Sequence, residues 1–268
     1  MSGPDRPGSD RANAPNGIID FHNHVMPGVD DGAESETQTR DALDAMRENG
    51  VTTIIATPHV EVSFMAGGAV EADRLEELDR GWSGLEAVAA DMPGIDVRRG
   101  AEVRLSTANP VVDDPRVRLD GGPFVLVEFA YFTIPPRSAR VLAGLREQGW
   151  FPILAHPERY SGYDADLSIV NEWREAGAFL QLSGPSLLGR YGSEVRSTAV
   201  ALLAHGVIDY MSSDFHARGN PRIAESHAFL AARGGLAQAN RLMRENPSRL
   251  LRGEEPLAVD RIDGRLLE

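Results

Sequence analysis

The sequence predicts an α/β fold in which a parallel sheet closes into a barrel. Short apolar or β-branched segments alternate along the 268 residues with longer segments of helical periodicity. Strands that alternate with helices form parallel sheets with right-handed crossovers, and the presence of seven such strands favours closure into a barrel. The chain has no internal repeat and no long linker, so we expect one domain rather than two.

The predicted elements follow one another in a regular order. The seven predicted strands are 17–21, 51–57, 95–100, 123–129, 151–156, 178–183 and 207–213. The predicted helices lie near 34–49, 71–90, 137–148, 166–176, 194–205, 222–232 and 235–244. Residues 1–16 lack the hydrophobic segment of a signal peptide, which predicts a disordered leader before a single domain at 17–268 of a cytoplasmic protein.

Composition excludes several classes of function. The formal net charge of −13 argues against a nucleic-acid partner, because nucleic-acid binding depends on neutralising phosphates with Lys and Arg. No apolar segment approaches the roughly 20 residues that span a bilayer. The chain contains no cysteine, which excludes disulfides, thiolate metal ligands and cysteine nucleophiles. It also contains no lysine, so Schiff-base catalysis is excluded.

The segment FHNHVMPGVDDG, at 21–32, carries the first chemical signal. Alternation along an extended strand places His22 and His24 on the same side, where two imidazoles can bind one metal ion. Asp30 and Asp31 either belong to the same site or only form a turn before the first helix.

Polar side chains stand at or just after the ends of six of the seven predicted strands. The loops at the carboxyl ends of the strands form the active site in α/β barrels, so these side chains are predicted to converge. Five of the seven histidines are among them, whereas His205 and His227 lie on helical patterns and are predicted to be structural. The converging residues are His22, His24, His59, Glu102, Glu128, His156, Asp214 and His216.

Imidazoles and carboxylates without thiolates suit Mn²⁺, Fe²⁺ or Zn²⁺ rather than an iron–sulfur cluster or Cu(I). Eight donors are too many for one tetrahedral ion. They suit two or three ions bridged by a carboxylate, a kind of centre that activates water for attack on phosphorus and clamps the phosphoryl oxygens.

Six motifs resemble those of the polymerase-and-histidinol-phosphatase (PHP) superfamily. They are IIDFHNHVMPGVDDGAES, GVTTIIATPHV, GAEVRLS, VLVEFAYFTIP, PILAHPERY and SSDFHARGNPRIAES. The DDG after H-x-H and the HPERY segment are most similar to the bacterial branch of metal-dependent protein-tyrosine phosphatases of capsular and exopolysaccharide synthesis. The likeness extends from about Gly17 to Arg249 and implies a distorted (β/α)₇ barrel with a metal cluster at its mouth.

The resemblance also implies roles for individual residues. The eight converging residues would be the metal ligands, with Glu102 as the bridge and Mn²⁺ favoured over Fe²⁺, Zn²⁺, Mg²⁺ or Co²⁺. Arg159 matches a phosphate-binding arginine. A second such arginine follows the D-x-H motif, but the spacing departs by about one residue, which favours Arg222 over Arg218. Asp31 would orient a ligand, bind metal or act on the leaving group.

Tyr131 and Phe132 follow Glu128 and either line an aromatic entrance or only pack at the rim. The implied reaction is hydrolysis of phosphotyrosine in a protein, with the carboxyl-terminal tail of a bacterial tyrosine autokinase as the expected substrate. The resemblance leaves the oligomeric state open, with a homo-oligomer among the alternatives because some relatives form rings. Two alternatives stay open: a PHP phosphoesterase for a small molecule such as histidinol phosphate, and a non-catalytic metal-binding regulatory module.

Overall fold

A computed structural model of the chain describes residues 17–63, 65–161, 163 and 167–267. The leader predicted for residues 1–16 lies outside the described residues. The strands are β1 Ile18–Asp20, β2 Val51–Ala56, β3 His59–Glu61, β4 Asp96–Arg99, β5 Glu102–Leu105, β6 Phe124–Phe129, β7 Phe151–Ala155, β8 Phe179–Ser183 and β9 Tyr210–Ser212. The α-helices are α1 Glu36–Glu48, α2 Ala72–Ala89, α3 Ser138–Glu147, α4 Ser168–Glu175, α5 Gly184–Leu187, α6 Ser193–His205, α7 Ile223–Ala231, α8 Leu236–Asn240 and α9 Asn246–Leu251.

The second and third predicted strands, 51–57 and 95–100, correspond to β2 and β4, and each is followed, after a break, by a short strand that was not predicted, β3 or β5. Between β2 and β3 stands Pro58, which has no amide hydrogen to donate to a sheet. Between β4 and β5 stands Gly100, where a Cβ would lie 3.0 Å from side-chain carbons of Ile55 and Leu119. The two broken strands remain neighbours, because the amide of Glu102 donates to the carbonyl of Pro58 at 3.0 Å. The barrel therefore has the seven strand positions that were predicted, two of them kinked.

The strands pair in parallel throughout, in the orders β1-β2-β4 and β3-β5-β6-β7-β8-β9. The loop after β9 meets the loop after β1. Their contacts join β1, at the end of one sheet, to β9, at the end of the other. There the amide of Asp214 donates to the carbonyl of His22 at 2.9 Å, and the amide of His24 donates to the carbonyl of Phe215 at 2.8 Å. The buried carboxylate of Asp20 accepts from the amide of Ser213 at 3.0 Å. These bonds close the distorted barrel that was predicted.

Alternation along the strands separates an inner from an outer core. On β6, Phe124 and Leu126 belong to a cluster with Ile55, Ile153 and Tyr210, whereas Val125 and Val127 pack in the larger cluster with the helices. Phe124 and Leu126 point into the barrel, and Glu128, two residues further along β6, is the polar residue that follows them on the same face. The apolar filling of the barrel thus ends at its carboxyl mouth, where polar side chains replace it.

The helices begin and end close to the predicted positions, with two differences. The predicted helix at 235–244 continues through a π-helical turn, Arg241–Glu245, into α9, where the buried amide of Asn246 donates to the carbonyls of Asp209 and Leu257. The single turn α5 was not predicted, because four residues are too few to show periodicity. Across the described ranges, the helices are all too short or too polar to cross a membrane.

Candidate metal centre

The carboxylate of Glu102 lies at the middle of four imidazoles. Its Oε2 is 3.2 Å from Nε2 of His22 and 3.5 Å from Nε2 of His24. The same oxygen is 3.0 Å from Nδ1 of His59. Its Oε1 is 2.9 Å from Nε2 of His156. Glu102 is fully buried, so a charged carboxylate in this position needs several cationic or donor neighbours.

Asp214 approaches the same imidazoles from the β9 side. Its Oδ1 is 3.4 Å from Nε2 of His22, 3.5 Å from Nε2 of His24 and 3.6 Å from Nδ1 of His216. The rings of His24 and His216 stack with their centroids 4.0 Å apart. The D-x-H and H-x-H motifs, 190 positions apart in the sequence, therefore form one half of the cluster.

Glu128 completes the other half. Its Oε1 is 3.3 Å from Nδ1 of His59, and its Oε2 is 3.9 Å from Nε2 of His156. The Oε1 atom also accepts from Nε of Arg104 at 2.9 Å, and Nη2 of the same arginine lies 2.9 Å from it. Arg104 was not predicted as a site residue. Its position two residues after Glu102, on the same face of β5, was the signal that could have found it.

The donor atoms form four groups that could each hold a cation. Within each group, all the donor atoms lie within 4.8 Å of one another. Neighbouring groups share His24, His22, Glu102 and His59 in turn, so the groups form a closed series around the mouth. The four groups are His24–Asp31–His59–His216, His22–His24–Asp214, His22–Glu102–His156 and His59–Glu102–Glu128. All eight predicted ligands and Asp31 are among them.

Unpaired buried atoms also indicate that these residues fit a metal centre. Among the described residues, four buried atoms that face the cluster make no hydrogen bond: Nε2 of His22, Nε2 of His24, Nδ1 of His59 and Oε2 of Glu102. Buried polar atoms are rarely left without a partner. Cations coordinated at this point would provide partners for all four.

Two polar side chains orient the histidines from behind. Oε1 of Gln181 lies 2.8 Å from Nδ1 of His22, and Oδ2 of Asp30 lies 2.6 Å from Nδ1 of His24. A hydrogen bond from Nδ1–H leaves Nε2 as the ligand atom that faces the cluster. Gln181 was missed in the sequence, although it is a polar residue within the apolar strand β8. Asp30 also accepts from the amides of Gly32 and His59, so it forms a turn and supports the site as well.

The charges of the cluster are strongly coupled. Burial disfavours the charged imidazole of His59, but hydrogen bonds to Glu102 and Glu128 outweigh burial and raise its pKa to about 10. Burial favours the protonated form of Glu102, yet His22 and His156 hold its pKa well below its usual range. The carboxylates therefore favour the protonated imidazoles of His22, His24 and His59, whose pKa values are all raised. Metal binding would replace these protons.

The backbone is strained at two of the predicted ligands. His156 has φ 34° and Asp214 has φ 52°, in the left-handed region that non-glycine residues rarely adopt. Phe132, at φ 48°, shares this conformation beside the site. Such residues cost about 1–3 kcal/mol each and cluster at functional sites.

Arg159 is the predicted phosphate-binding residue that contacts the cluster. Its Nη1 donates to Oδ2 of Asp214 at 2.5 Å. Its guanidinium lies between two aromatic rings, with Cζ 4.3 Å from the centroid of Phe132 and 4.4 Å from that of Tyr191. Tyr191 had no signal in the sequence, because it comes from the loop between α5 and α6.

The other predicted residues lie further out. Arg222 binds its own helix, with Nη2 2.8 Å from Oε2 of Glu225, and Arg218 lies 3.3 Å from Oε1 of Glu34. In the described ranges, neither arginine makes a hydrogen bond or an ion pair with the eight predicted ligands. Asp31 is two-thirds exposed, with Oδ1 3.5 Å from Nε2 of His216.

Of the two described aromatic residues after Glu128, only Phe132 contacts a predicted ligand, and the two histidines predicted to be structural lie outside the cluster. The ring of Phe132 packs against that of His156, with the ring centroids 5.4 Å apart. The side chain of Tyr131 is almost fully exposed. His205 bonds within its helix to the carbonyl of Ala201, and His227 bonds to Asn240, so both lie outside the cluster.

A parallel α/β barrel with this set of donors at its mouth defines a metal-dependent hydrolase architecture. The family model described as "Capsular polysaccharide synthesis, CpsB/CapC" matches residues 18–252. The chain therefore belongs to the CpsB/CapC family, which confirms the resemblance identified from the motifs.

Three similar proteins illustrate the relationship. The chain is 26% identical over 200 residues to the tyrosine-protein phosphatase YwqE of Bacillus subtilis, covering 74% of this chain and 77% of that protein. It is 26% identical over 208 residues to the putative tyrosine-protein phosphatase CapC of Staphylococcus aureus, with coverage of 76% and 78%. A solved chain, from crystal structures of YwqE and Streptococcus pneumoniae CpsB described as "unique metal-dependent tyrosine phosphatases", superposes with a TM-score of 0.70 at 25% identity. That match covers 91% of this chain and 100% of the solved chain.

Proposed function

We propose that this protein is a metal-dependent protein-tyrosine phosphatase. The observation that carries the proposal is the convergence of eight His and carboxylate donors with Arg159, which bonds to one of them, at the mouth of one barrel. The CpsB/CapC family match supports this assignment, as do the phosphatase names of the relatives. The absence of cysteine agrees with it, because a thiol-based phosphatase mechanism is excluded.

The eight donors are proposed to hold two or three divalent cations, with Mn²⁺ favoured over Fe²⁺, Zn²⁺, Mg²⁺ or Co²⁺. Glu102 is the proposed bridge, because both of its oxygens approach imidazoles of different donor groups. When bound, the cations would polarise phosphoryl oxygens and acidify water. The protein's part is to fix the donors, and Gln181 and Asp30 do so for His22 and His24.

Arg159 is proposed to bind the phosphoryl group. A guanidinium presents several N–H donors in a planar fork, and only one of them is used on Asp214. Contacts with the rings of Phe132 and Tyr191 hold the guanidinium in place beside the cluster. Charge that develops on the phosphoryl oxygens would be stabilised by the remaining donors.

Arg222 is the proposed second phosphate ligand. Its position at the start of α7, shortly after the loop that carries Asp214 and His216, supports this role, although it must leave Glu225 to perform it. Asp31 is proposed to bind metal or to act on the departing tyrosinate, since its carboxylate faces Nε2 of both His59 and His216.

The proposed substrate is a phosphotyrosyl protein, such as the tail of a bacterial tyrosine autokinase that regulates capsular or exopolysaccharide synthesis. A cytoplasmic location accompanies this proposal, because such a kinase is phosphorylated with cytoplasmic ATP. We also propose that 17–268 forms one domain, which the closed barrel and the family match over 18–252 support.

The test joins metal analysis to a panel of substrates. The purified protein should contain at least two equivalents of divalent metal and hydrolyse a phosphotyrosyl peptide faster than a phosphoseryl peptide or histidinol phosphate. Chelation should abolish turnover, and Mn²⁺ should restore it. A preference for histidinol phosphate would identify a small-molecule phosphoesterase instead, and bound metal without any turnover would identify a regulatory module.

A further inference from the structure

A groove adjoins the metal centre on the side of β3 and β5. It has a volume of about 620 Å³, and its walls include His59, Glu61, Met65, Arg74 and Arg104. His59 belongs both to the groove wall and to two of the donor groups. The groove therefore opens directly onto the centre.

The register of β3 and β5 explains this continuity. His59 pairs with Glu102, and two residues further along Glu61 pairs with Arg104. Residues two apart on a strand share a face, so each strand contributes first a donor to the centre and then a side chain to the groove. The groove thus begins at His59, and the strand positions of Glu61 and Arg104 lie about 7 Å further along, within reach of residues that neighbour a phosphotyrosine.

The two arginines of the groove are fixed by the centre itself. Arg104 holds Glu128, and Nη2 of Arg74 donates to the carbonyl of His59 at 2.7 Å. Glu61 is exposed and has no recorded ion pair among the described residues, although Arg104 is its partner in register. Arginines, a carboxylate and serines share one groove, so its walls offer both hydrogen-bond donors and acceptors. Such walls suit a polypeptide, which also carries both, better than they suit a uniformly charged ligand.

Exposed apolar side chains flank the centre on two sides. In the described part of the chain, the large hydrophobic residues that stand exposed are Met65, Tyr131, Phe132, Leu236, Leu257 and Leu266. Met65 follows β3, and Tyr131 and Phe132 follow β6, while the other three lie in the carboxyl-terminal region. Methionine, tyrosine and arginine are enriched at protein-binding surfaces. Half of the exposed hydrophobic residues thus border the mouth of the barrel.

We infer that this groove binds the polypeptide segment adjacent to the phosphotyrosine of the substrate, with Met65 and Glu61 as specificity-determining residues. The inference rests on the proposed function and extends it. A small phosphomonoester would occupy only the centre, whereas a phosphopeptide would also bury Met65 and contact Glu61.

The first test compares two substrates. Met65→Ala should lower kcat/KM for a phosphotyrosyl nonapeptide roughly five- to tenfold, mainly through KM, because a buried methionine side chain contributes at this scale. Turnover of free phosphotyrosine should stay within about twofold of the wild type. Leu236→Ala, at an exposed apolar residue of α8, is the matched control and should leave kcat/KM unchanged for both substrates.

The second test uses charge. Glu61→Arg should raise kcat/KM for a peptide with Glu beside the phosphotyrosine and lower it for the same peptide with Lys, because the charge at position 61 changes from negative to positive. Equal effects on both peptides would overturn the inference. Equal effects of Met65→Ala on the nonapeptide and on free phosphotyrosine would also overturn it, while leaving the phosphatase assignment intact. A wild-type protein that binds metal but hydrolyses neither phosphotyrosine substrate would instead overturn the proposed function.

Discussion

Replacing Arg159 with alanine separates phosphate binding from metal assembly. The guanidinium cannot ligate a metal, but it bonds to Asp214, one of the proposed ligands. Its side chain is only 18% exposed, so its contacts with a phosphoryl group would be made in a largely desolvated site. Removing one such donor from a reacting centre typically costs about 2.7–4 kcal/mol. We therefore expect Arg159→Ala to lower kcat on a phosphotyrosyl peptide about 10²–10³-fold.

A second effect of the same change has to be separated from the first. Asp214 loses a hydrogen bond in the variant, and the loss of such a supporting contact weakens metal affinity about 10–100-fold. The assay must therefore use saturating Mn²⁺, with bound metal measured in parallel by mass spectrometry. Arg159→Lys should recover part of the rate, because a point charge lacks the fork and its stacking on Phe132 and Tyr191.

Arg218→Ala is the matched control. Within the part of the chain that the structure describes, this exposed arginine pairs with exposed Glu34 alone, so its removal should change the rate less than about twofold. Arg222→Ala should cause a loss similar to that of Arg159→Ala or smaller. Full kcat/KM in Arg159→Ala would refute the reasoning. A loss that saturating metal restores completely would refute it as well, since Arg159 would then act only through Asp214.

Three further predictions concern the centre and the frame of the barrel. Glu102→Gln should lower metal content and nearly abolish turnover while circular dichroism stays unchanged, and wild-type metal content with full activity would remove Glu102 from the bridge. Gln181→Ala should weaken metal affinity about 10–100-fold because His22 loses its orienting partner, whereas unchanged affinity in a metal titration would show that Gln181 does not orient it. Arg174→Ala should lower the free energy of unfolding by about 2–3 kcal/mol, measured in urea, because it leaves the buried carboxylate of Asp209 without its cation. Burial already raises the pKa of Asp209, so its charged form costs stability, and the loss should be larger at pH 8 than at pH 4.5; an equal loss at both would contradict this.

The sequence alone was sufficient for the fold class and the donor set. Seven alternations of strand and helix predicted the barrel, because period-2 and period-3.6 patterns are local properties of the chain. The predicted ligands could be selected for a related reason. Each stands at or just after the carboxyl end of a predicted strand, and parallel strands bring those ends to one rim. His59 and Glu102 are in fact the first residues of β3 and β5, just past the two strand breaks.

The sequence could not show which side chains stand behind or beside the ligands. Gln181 lies on β8 and His22 after β1, and their contact exists only because the barrel closes. Tyr191 reaches Arg159 from a loop, and Arg104 reaches Glu128 from a neighbouring strand. Local position could mark Gln181 and Arg104 as candidates, but no local pattern gives the partner that each of them contacts.

The tertiary structure also decided between residues that look equivalent in the sequence. Asp30 and Asp31 are adjacent acids, yet the turn directs Asp30 inward to Nδ1 of His24 and leaves Asp31 mostly exposed. Arg159 stands next to a ligand, while Arg222 pairs with Glu225 on its own helix. The identity of a residue and its distance from a motif determine what chemistry it can perform. Its direction depends on φ and ψ angles, strand breaks and neighbours from distant parts of the chain, which only the folded barrel brings together.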